Sequence, residues 1–452
     1  MATERPVNFL SGSPLNRLSW MRDSAIFLDT LAASPKARWV AFQAGSPLTA
    51  YQSSKSALVA FPTADVRPFI GEAPLFGQGK VKGERSTEKA SVLESARFFG
   101  ARIVFIGVLE SGENDFGRIE DAEAAANALN GSPYFSVDLT DEDQSAVDAL
   151  LERARAAHPG ANVSFAEPRS AIRGMTAEDA ATFAVGRSML DWNSRNRFCS
   201  ACGQPTHSVW GGWKRACSSL VPWADNGDRK PCPTSKGLHN VNHPRTDAAI
   251  IVAITNETND KILLGHNKKF PGNFYSTLAG FLEPGESFED CVKREILEEA
   301  GVHVYNVRYH SAQPWPYPSS IMVGFVADAD PNEPIRTDLD NELADARWYT
   351  REEVLSVLNH ADGTNISRRE YKRIDDNING QSNVANKNGP PPTEGADAQA
   401  ASAQEASAAS AGPDPAKIDE PLFRCPPMTT IAGVLISDWA HGRFPASPSA
   451  NL

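Results

Sequence analysis

The chain has 452 residues, 41% hydrophobic and 22% charged, enough for two or three domains with real cores. Its formal net charge of -12 argues against general affinity for nucleic acid or an acidic membrane surface. No apolar run nears the roughly 18 residues of a membrane span, the opening MATERPVNFLSGSPLNRLSW lacks the apolar stretch of a secretory signal, and the 6 cysteines are too few and too clustered for a disulfide scaffold. No membrane partner and a reducing compartment are expected.

Residues 1–190 read as an α/β domain. ARIVFIGVL (101–109) and YFSVDL (134–139) are β-branched strand candidates, with DAEAAANAL (121–129) as a helix between them. Thr140 is predicted to cap a helix that runs through Ala157, with acids in its first turn. Thr176 opens another, TAEDAATFAVGRSMLDW, with Asp179 in the reaching-back position of a capping box. This part shows no catalytic constellation, and a packing or dimerisation role is expected.

Residues 191–245 carry Cys199, Cys202, Cys217 and Cys232. FCSACG has the form of a zinc knuckle, whose tight turn aims two thiolates at one metal, with Gly203 supplying the unusual dihedrals. Four thiolates close a tetrahedron, so one structural Zn2+ per chain is predicted. The downstream cysteines are singly spaced, and His207, His239 and His243 compete as ligands. Cys291 and Cys425 read as small buried residues. Between residues 195 and 245, eight bases face two acids. That excess suits either a solvated surface or a guide for polyanions.

From residue 246 to 452 apolar strands such as AAIIVAI (248–254) alternate with polar turns. In GFLEPGESFEDCVKREILEEAGV (280–302), Ser287 is a predicted N-cap with Asp290 reaching back, and Gly301 ends the helix. Glu295, Glu298 and Glu299 fall within an arc of about 100°. They repel one another by tenths of a kcal/mol per pair, and two of them sit where the helix dipole disfavours anions. No Lys or Arg follows Arg294 in the helix. A hard dication, Mg2+ or Mn2+, would remove the conflict.

Gly280, Glu286, Arg294, Glu295, Glu298, Glu299 and Gly301, with apolar Ile296 and Val302, spell G-x5-E-x7-R-E-U-x-E-E-x-G-U, where U is apolar. The sequence resembles the Nudix hydrolases in every fixed position of that box. The resemblance implies an α+β fold: a Nudix α/β/α sandwich with a mixed sheet, preceded by the zinc ribbon and the N-terminal α/β domain. It implies hydrolysis of a nucleoside diphosphate linked to another group. Glu295, Glu298, Glu299 and the carbonyl of Ala279 would hold Mg2+ or Mn2+, and Glu342 in DNELADARWY would complete the set. Arg294 and Glu286 would fix the loop against the helix. Either Glu298 or Glu299 would be the general base, with Glu299 preferred.

SAQPWPYPSS (311–320) places Pro314, Pro316 and Pro318 on alternate residues, which should bar regular strand pairing and hold Trp315 and Tyr317 on a stiff arm. Gln313 to Ser320 resembles the Q-P-W-P-F-P-x-S array of the NADH pyrophosphatase branch, with Tyr317 for Phe, and Ala312 where Ser is common. MLDWNSRNRFCSACG, HPRTD (243–247) and PLNRLSW also look like that branch. The implied reaction is NADH and water giving AMP and reduced nicotinamide mononucleotide, with NAD+ slower. Phe281 and Trp315 would meet a ring. Gln313, Ser319 and Ser320 would supply polar contacts, and Ala432 a further one. A homodimer is implied. Removal of NAD caps from RNA 5′ ends is the alternative with the same chemistry. The resemblance leaves open NADH, NAD+, NADPH or capped RNA, and Mg2+ or Mn2+.

The tract at about 376–418, rich in Ala, Ser, Pro and Gly, cannot offset its ordering entropy by burial and is expected to be a disordered insertion. PLFRCPPMTTIAGVLISDWA then reads as a loop and an amphipathic helix. The terminal Ala450, Asn451 and Leu452 loosely resemble a peroxisomal address read by an import receptor, with Asn replacing the usual base. Peroxisome or cytoplasm is the expectation.

Overall fold

Strand Arg102–Glu110 pairs antiparallel with Gly131–Asp138, which runs parallel to Arg38–Gln43, which in turn pairs antiparallel with Ser46–Gln52. Alternation along these strands sorts their side chains onto two faces. Trp39, Ala41, Ile103 and Phe105 enter one core, where Trp39 stacks on Phe135 at 4.5 Å. Val40, Phe42, Val104 and Ile106 enter another, beneath helix Ala177–Arg195, whose Phe183 stacks on Phe42. The computed structural model describes residues 7–79, 82, 95–114, 121–230, 232–236, 242–270, 272–366, 370 and 420–444. His239, the Ala/Ser-rich tract and the last three residues lie outside these. Among the described residues no helix is long and apolar enough to cross a membrane.

Two capping expectations need correction. The helix after Asp138 is Gln144–Ala157, and its cap is Asp143, whose carboxylate accepts from the Ala146 N–H at 3.1 Å. Thr140 instead donates its N–H to Asp138 and accepts from the Ala44 N–H, so it is used in the turn. Thr176 does cap its helix, accepting from the Asp179 N–H. Asp179, however, accepts from the Leu58 N–H at 3.2 Å, a partner 121 positions away that no local pattern reveals.

The chain divides into two compact units: Met1–Ile250 with His310–Val323, and Ile251–Tyr309 with Gly324–Leu452. The proline arm therefore belongs with the N-terminal unit. The second large sheet has the order Val304–Trp315, Ser320–Ala329, Asp247–Thr255, Lys261–Asn267, Leu343–Thr350, with Leu278–Phe281 on Asp247–Thr255. Pro314 does not stop its strand, which runs to Trp315. The strand lies at the sheet's edge, where a missing N–H removes no ladder bond. Helix Ile431–Ala440 is not amphipathic: all of its residues but Asp438 are buried. A helix apolar all round belongs inside a core.

Candidate active site and metal centre

Helix Phe288–Ala300 begins with the reciprocal cap expected of it. Ser287 Oγ accepts from the Asp290 N–H, and the Asp290 carboxylate accepts from the Ser287 N–H, each at 3.2 Å. It ends at Gly301, which has φ 69° and donates to the Leu297 carbonyl. A side chain there would be strained by that φ and would meet Arg336 Cβ at 2.7 Å. Cys291, Val292, Ile296 and Ala300 face the core, and the remaining surface presents the acids.

Arg294 organises them. Its Nε and Nη2 donate to the two oxygens of Glu286 at 2.5 and 3.0 Å, and Nη2 also donates to the Phe281 carbonyl at 2.9 Å. Its Nη1 donates to Glu295 at 2.9 Å and to Glu298 at 3.0 Å. The acid cluster is thus less uncompensated than the sequence implied, because Arg294 reaches one turn forward and its neighbour as well. The same guanidinium and the Glu283 N–H hold the Glu286 carboxyl down at about 2.

Glu299 is the exception. It is 4% exposed and meets no basic side chain among the described residues. Burial pushes its carboxyl well above the usual range, and the charges of Glu342, Glu295 and Asp340 push it further; a hydrogen bond with the Ala279 backbone opposes them. Burial also raises Glu295. Glu342 receives a bond from Asn267 Nδ2 at 2.8 Å. The second unit therefore brings Ala279, Glu286, Arg294, Glu295, Glu298, Glu299 and Glu342 to one place, with Glu298 at its open rim. Two contributors went unnoticed in the sequence, Asn267 and Asp340. The acidic run DLDNE offered a signal for Asp340, but nothing local ties Asn267 to a carboxylate 75 positions on.

The donor types suit a divalent cation, although among the described residues only the four cysteines bring their ligand atoms within 4.8 Å of one another. Carboxylate oxygens suit Mg2+ or Mn2+, and a dication is what would stabilise the ionised form of a buried, unpaired Glu299. Gly280 makes the cradle, since a Cβ there would stand 1.9 Å from the Glu295 carboxyl carbon. G280A is expected to displace Glu295 and lower kcat/KM by about 10²-fold, with a matching rise in the magnesium needed for half-maximal rate. Steady-state rates across a magnesium titration check it.

The four predicted cysteines converge in the first unit. Their sulfurs all lie within 4.8 Å of one another, with Cys199–Cys232 at 3.7 Å and Cys202–Cys217 at 3.4 Å. Zn–S bonds of about 2.3 Å span tetrahedral edges of roughly 3.8 Å, so the set fits a structural zinc. Gly203 has φ 73° and donates to the Cys199 carbonyl, closing the knuckle. Ser219 and Thr234 hydroxyls lie 3.0 Å from the Cys217 and Cys232 sulfurs.

His207 is not a ligand. Its ring stacks on Phe98 at 4.4 Å, and both nitrogens are buried without a partner among the described residues. His243 packs against the Trp210 ring. Burial, with Arg215 nearby, pushes His207 down to about 4. A histidine depressed in the folded state adds stability above the unfolded value of 6.5, and that stability is lost as pH falls from 6.5 to 4. The loss should reach about 3 kcal/mol. Urea unfolding at pH 7 and pH 5 should show a steeper acid loss in the native protein than in H207L.

Phe281 is 61% exposed, beside the box. Ala432 is buried in its helix. In the first unit, Trp315 and Tyr317 meet edge to face at 5.0 Å. Gln313 is wholly buried and donates to the Phe9 carbonyl, so it stands behind the arm rather than on its surface. Ser319 donates to the Arg245 carbonyl, and Ser320 is buried.

A carboxylate-lined loop and helix on the sheet of the second unit, and a closed four-thiolate site in the first, define a zinc-ribbon-bearing hydrolase class. Family models agree. The NUDIX domain matches residues 244–373, the NADH pyrophosphatase zinc ribbon domain residues 194–219, and the NADH pyrophosphatase-like rudimentary NUDIX domain residues 36–192. The chain is similar to the NAD-capped RNA hydrolase of Schizosaccharomyces pombe, 32% identical over 353 residues, covering 78% of this chain and 86% of that protein. It is similar to the NAD-capped RNA hydrolase NPY1 of Saccharomyces cerevisiae, 29% identical over 357 residues, 78% of this chain and 87% of that protein. Its match to the human NAD-capped RNA hydrolase NUDT12 is 44% identical over 191 residues but spans only 39% of that protein. The chain belongs to the Nudix hydrolase family, in the branch that carries the NADH pyrophosphatase zinc ribbon and N-terminal domain.

Proposed function

We propose that this protein hydrolyses the pyrophosphate bridge of NADH, and more slowly that of NAD+, to AMP and the matching nicotinamide mononucleotide. The observation that carries the reading is Glu299, a buried carboxylate without a cationic partner among the described residues, close enough to Glu295 and Glu342 to feel their charges. Bound Mg2+ or Mn2+ would neutralise the diphosphate and make water nucleophilic. Glu295, Glu298, Glu299, Glu342 and the Ala279 carbonyl would hold it. Glu299 takes the proton of the attacking water, whose oxygen bonds to one phosphorus as the bridging P–O bond breaks. Its raised proton affinity suits that task. Arg294 and Glu286 hold the loop, and so the Phe281 ring beside it, in place. Trp315 on the arm is assigned to ring recognition.

A second reading has support of its own. The fungal and human relatives are named NAD-capped RNA hydrolases, and the same bond lies at an NAD cap. The cysteine-bearing segment is rich in basic residues, which suits an RNA backbone. Product analysis with NADH, NAD+, NADPH and NAD-capped RNA, with and without Mg2+ or Mn2+, tests both. Metal-dependent release of AMP from the free dinucleotide supports the first. Turnover confined to capped RNA, and falling steeply with salt, would replace it with the second. Intact substrates throughout would overturn both.

A further inference from the structure

The N-terminal unit grips the aromatic arm along its length. Asn8 Nδ2 donates to Ser311 Oγ and to the Ala312 carbonyl, each at 2.9 Å. The Tyr317 hydroxyl donates to the Pro168 carbonyl at 3.2 Å, and the Ser188 hydroxyl to the Pro318 carbonyl at 3.3 Å. Arg187, on helix Ala177–Arg195, donates through Nη1 to the Pro316 carbonyl. Two guanidiniums also flank the rings. Arg169 lies 4.5 Å from the Tyr317 centroid and 5.9 Å from that of Trp315, and Arg187 lies 5.3 Å from Tyr317.

Tyr317 is thereby fixed by its hydroxyl and by two cations. Its ring is a strut, and Trp315 leans on it edge to face. A cation within about 6 Å of a Tyr ring is attracted to its face, and the attraction grows as water is excluded. Arg187 is an expensive residue to keep there. Its Nε is buried with no hydrogen-bond partner among the described residues, and it forms no ion pair among them. A half-buried arginine whose Nε is shut away from water without a partner among the described residues is costly, and its retention calls for a function. Among the described residues its guanidinium's hydrogen bond and its ring contact are both to the arm. A ring held in place before substrate arrives loses less freedom on binding.

We propose that Arg169 and Arg187 are positioning residues for substrate recognition, holding Trp315 in its binding pose from the N-terminal unit. The proposal rests on the assignment of Trp315 to ring recognition.

The test uses the full-length, zinc-loaded protein with NADH and magnesium. R187A and R169A are expected to raise KM about ten-fold with kcat changed less than about two-fold. In protein labelled with 5-fluorotryptophan, the Trp315 resonance, assigned through W315F, should shift or broaden in both variants. R187K keeps the charge over the ring but loses the planar fork, so it should restore part of the KM. If R187A lacks a cooperative thermal transition, R169A and R187K carry the measurement. Should W315A raise KM while R169A and R187A leave both KM and the fluorine resonance unchanged, the inference is overturned and the arm's assignment stands. Should W315A itself leave KM unchanged, the assignment falls, and the inference with it.

Discussion

E299Q should lower kcat by about 10³- to 10⁴-fold while leaving the fold intact. A positioned general base contributes about 10²- to 10⁴-fold, and loss of a metal oxygen adds to that. The same substitution should stabilise the metal-free protein at alkaline pH. The Glu299 carboxyl is raised in the folded state, so the folded protein favours the protonated form. The stability that goes with that proton is full below the unfolded value of 4.5 and is lost as pH rises through the folded value. Glutamine carries no charge to desolvate, so E299Q should show no such decline. Chemical denaturation of metal-free native protein and E299Q at pH 5 and pH 8 reads the difference. Magnesium should close the gap at pH 8 for the native protein alone. Full hydrolysis by E299Q would end the assignment of Glu299 as base.

Removal of zinc should unfold the ribbon and with it abolish hydrolysis. Structural zinc sites of this kind contribute about 10–16 kcal/mol of apparent binding free energy, as much as or more than the about 5–15 kcal/mol that separates a typical folded domain from its unfolded chain. Cys217 is buried, with its sulfur 3.4 Å from that of Cys202. C217S should therefore lose zinc stoichiometry and lower the thermal midpoint of the ribbon-bearing unit by more than 10 °C, an estimate on the order of several kcal/mol spread over a large domain. Excess magnesium should not rescue it, because the carboxylate site and the thiolate site prefer different ions. Metal analysis and calorimetry of the native protein, C217S and chelator-treated protein decide the matter. A zinc-free C217S with unchanged melting and turnover would show that the four sulfurs do not need the ion.

The box helix and the cysteine knuckle were legible because their residues are local. Thirteen consecutive residues form the box helix, and helical periodicity alone puts Glu295, Glu298 and Glu299 on one side. The knuckle is four residues long, and its spacing carries its own geometry. Caps were legible where side chain and backbone partner lie within one turn, as at Ser287. They misled where a tertiary partner competed: Asp179 is drawn to Leu58, and Thr140 is used by Asp138 and Ala44. The C-terminal helix misled for a related reason. It was expected to be amphipathic, yet the surrounding chain buries all of it but Asp438.

By itself, then, the sequence determined which side chains the box and the knuckle present together, because they must follow the period of the helix or turn that carries them. Only the tertiary structure decided how the charges are settled: that Arg294 spans Glu286, Glu295 and Glu298 while Glu299 is left buried beside Glu342, and that the aromatic arm is held by Arg169 and Arg187. Burial and long-range pairing depend on which distant segments pack together. No local spacing encodes that, because the free energy of a buried charge is set by everything around it.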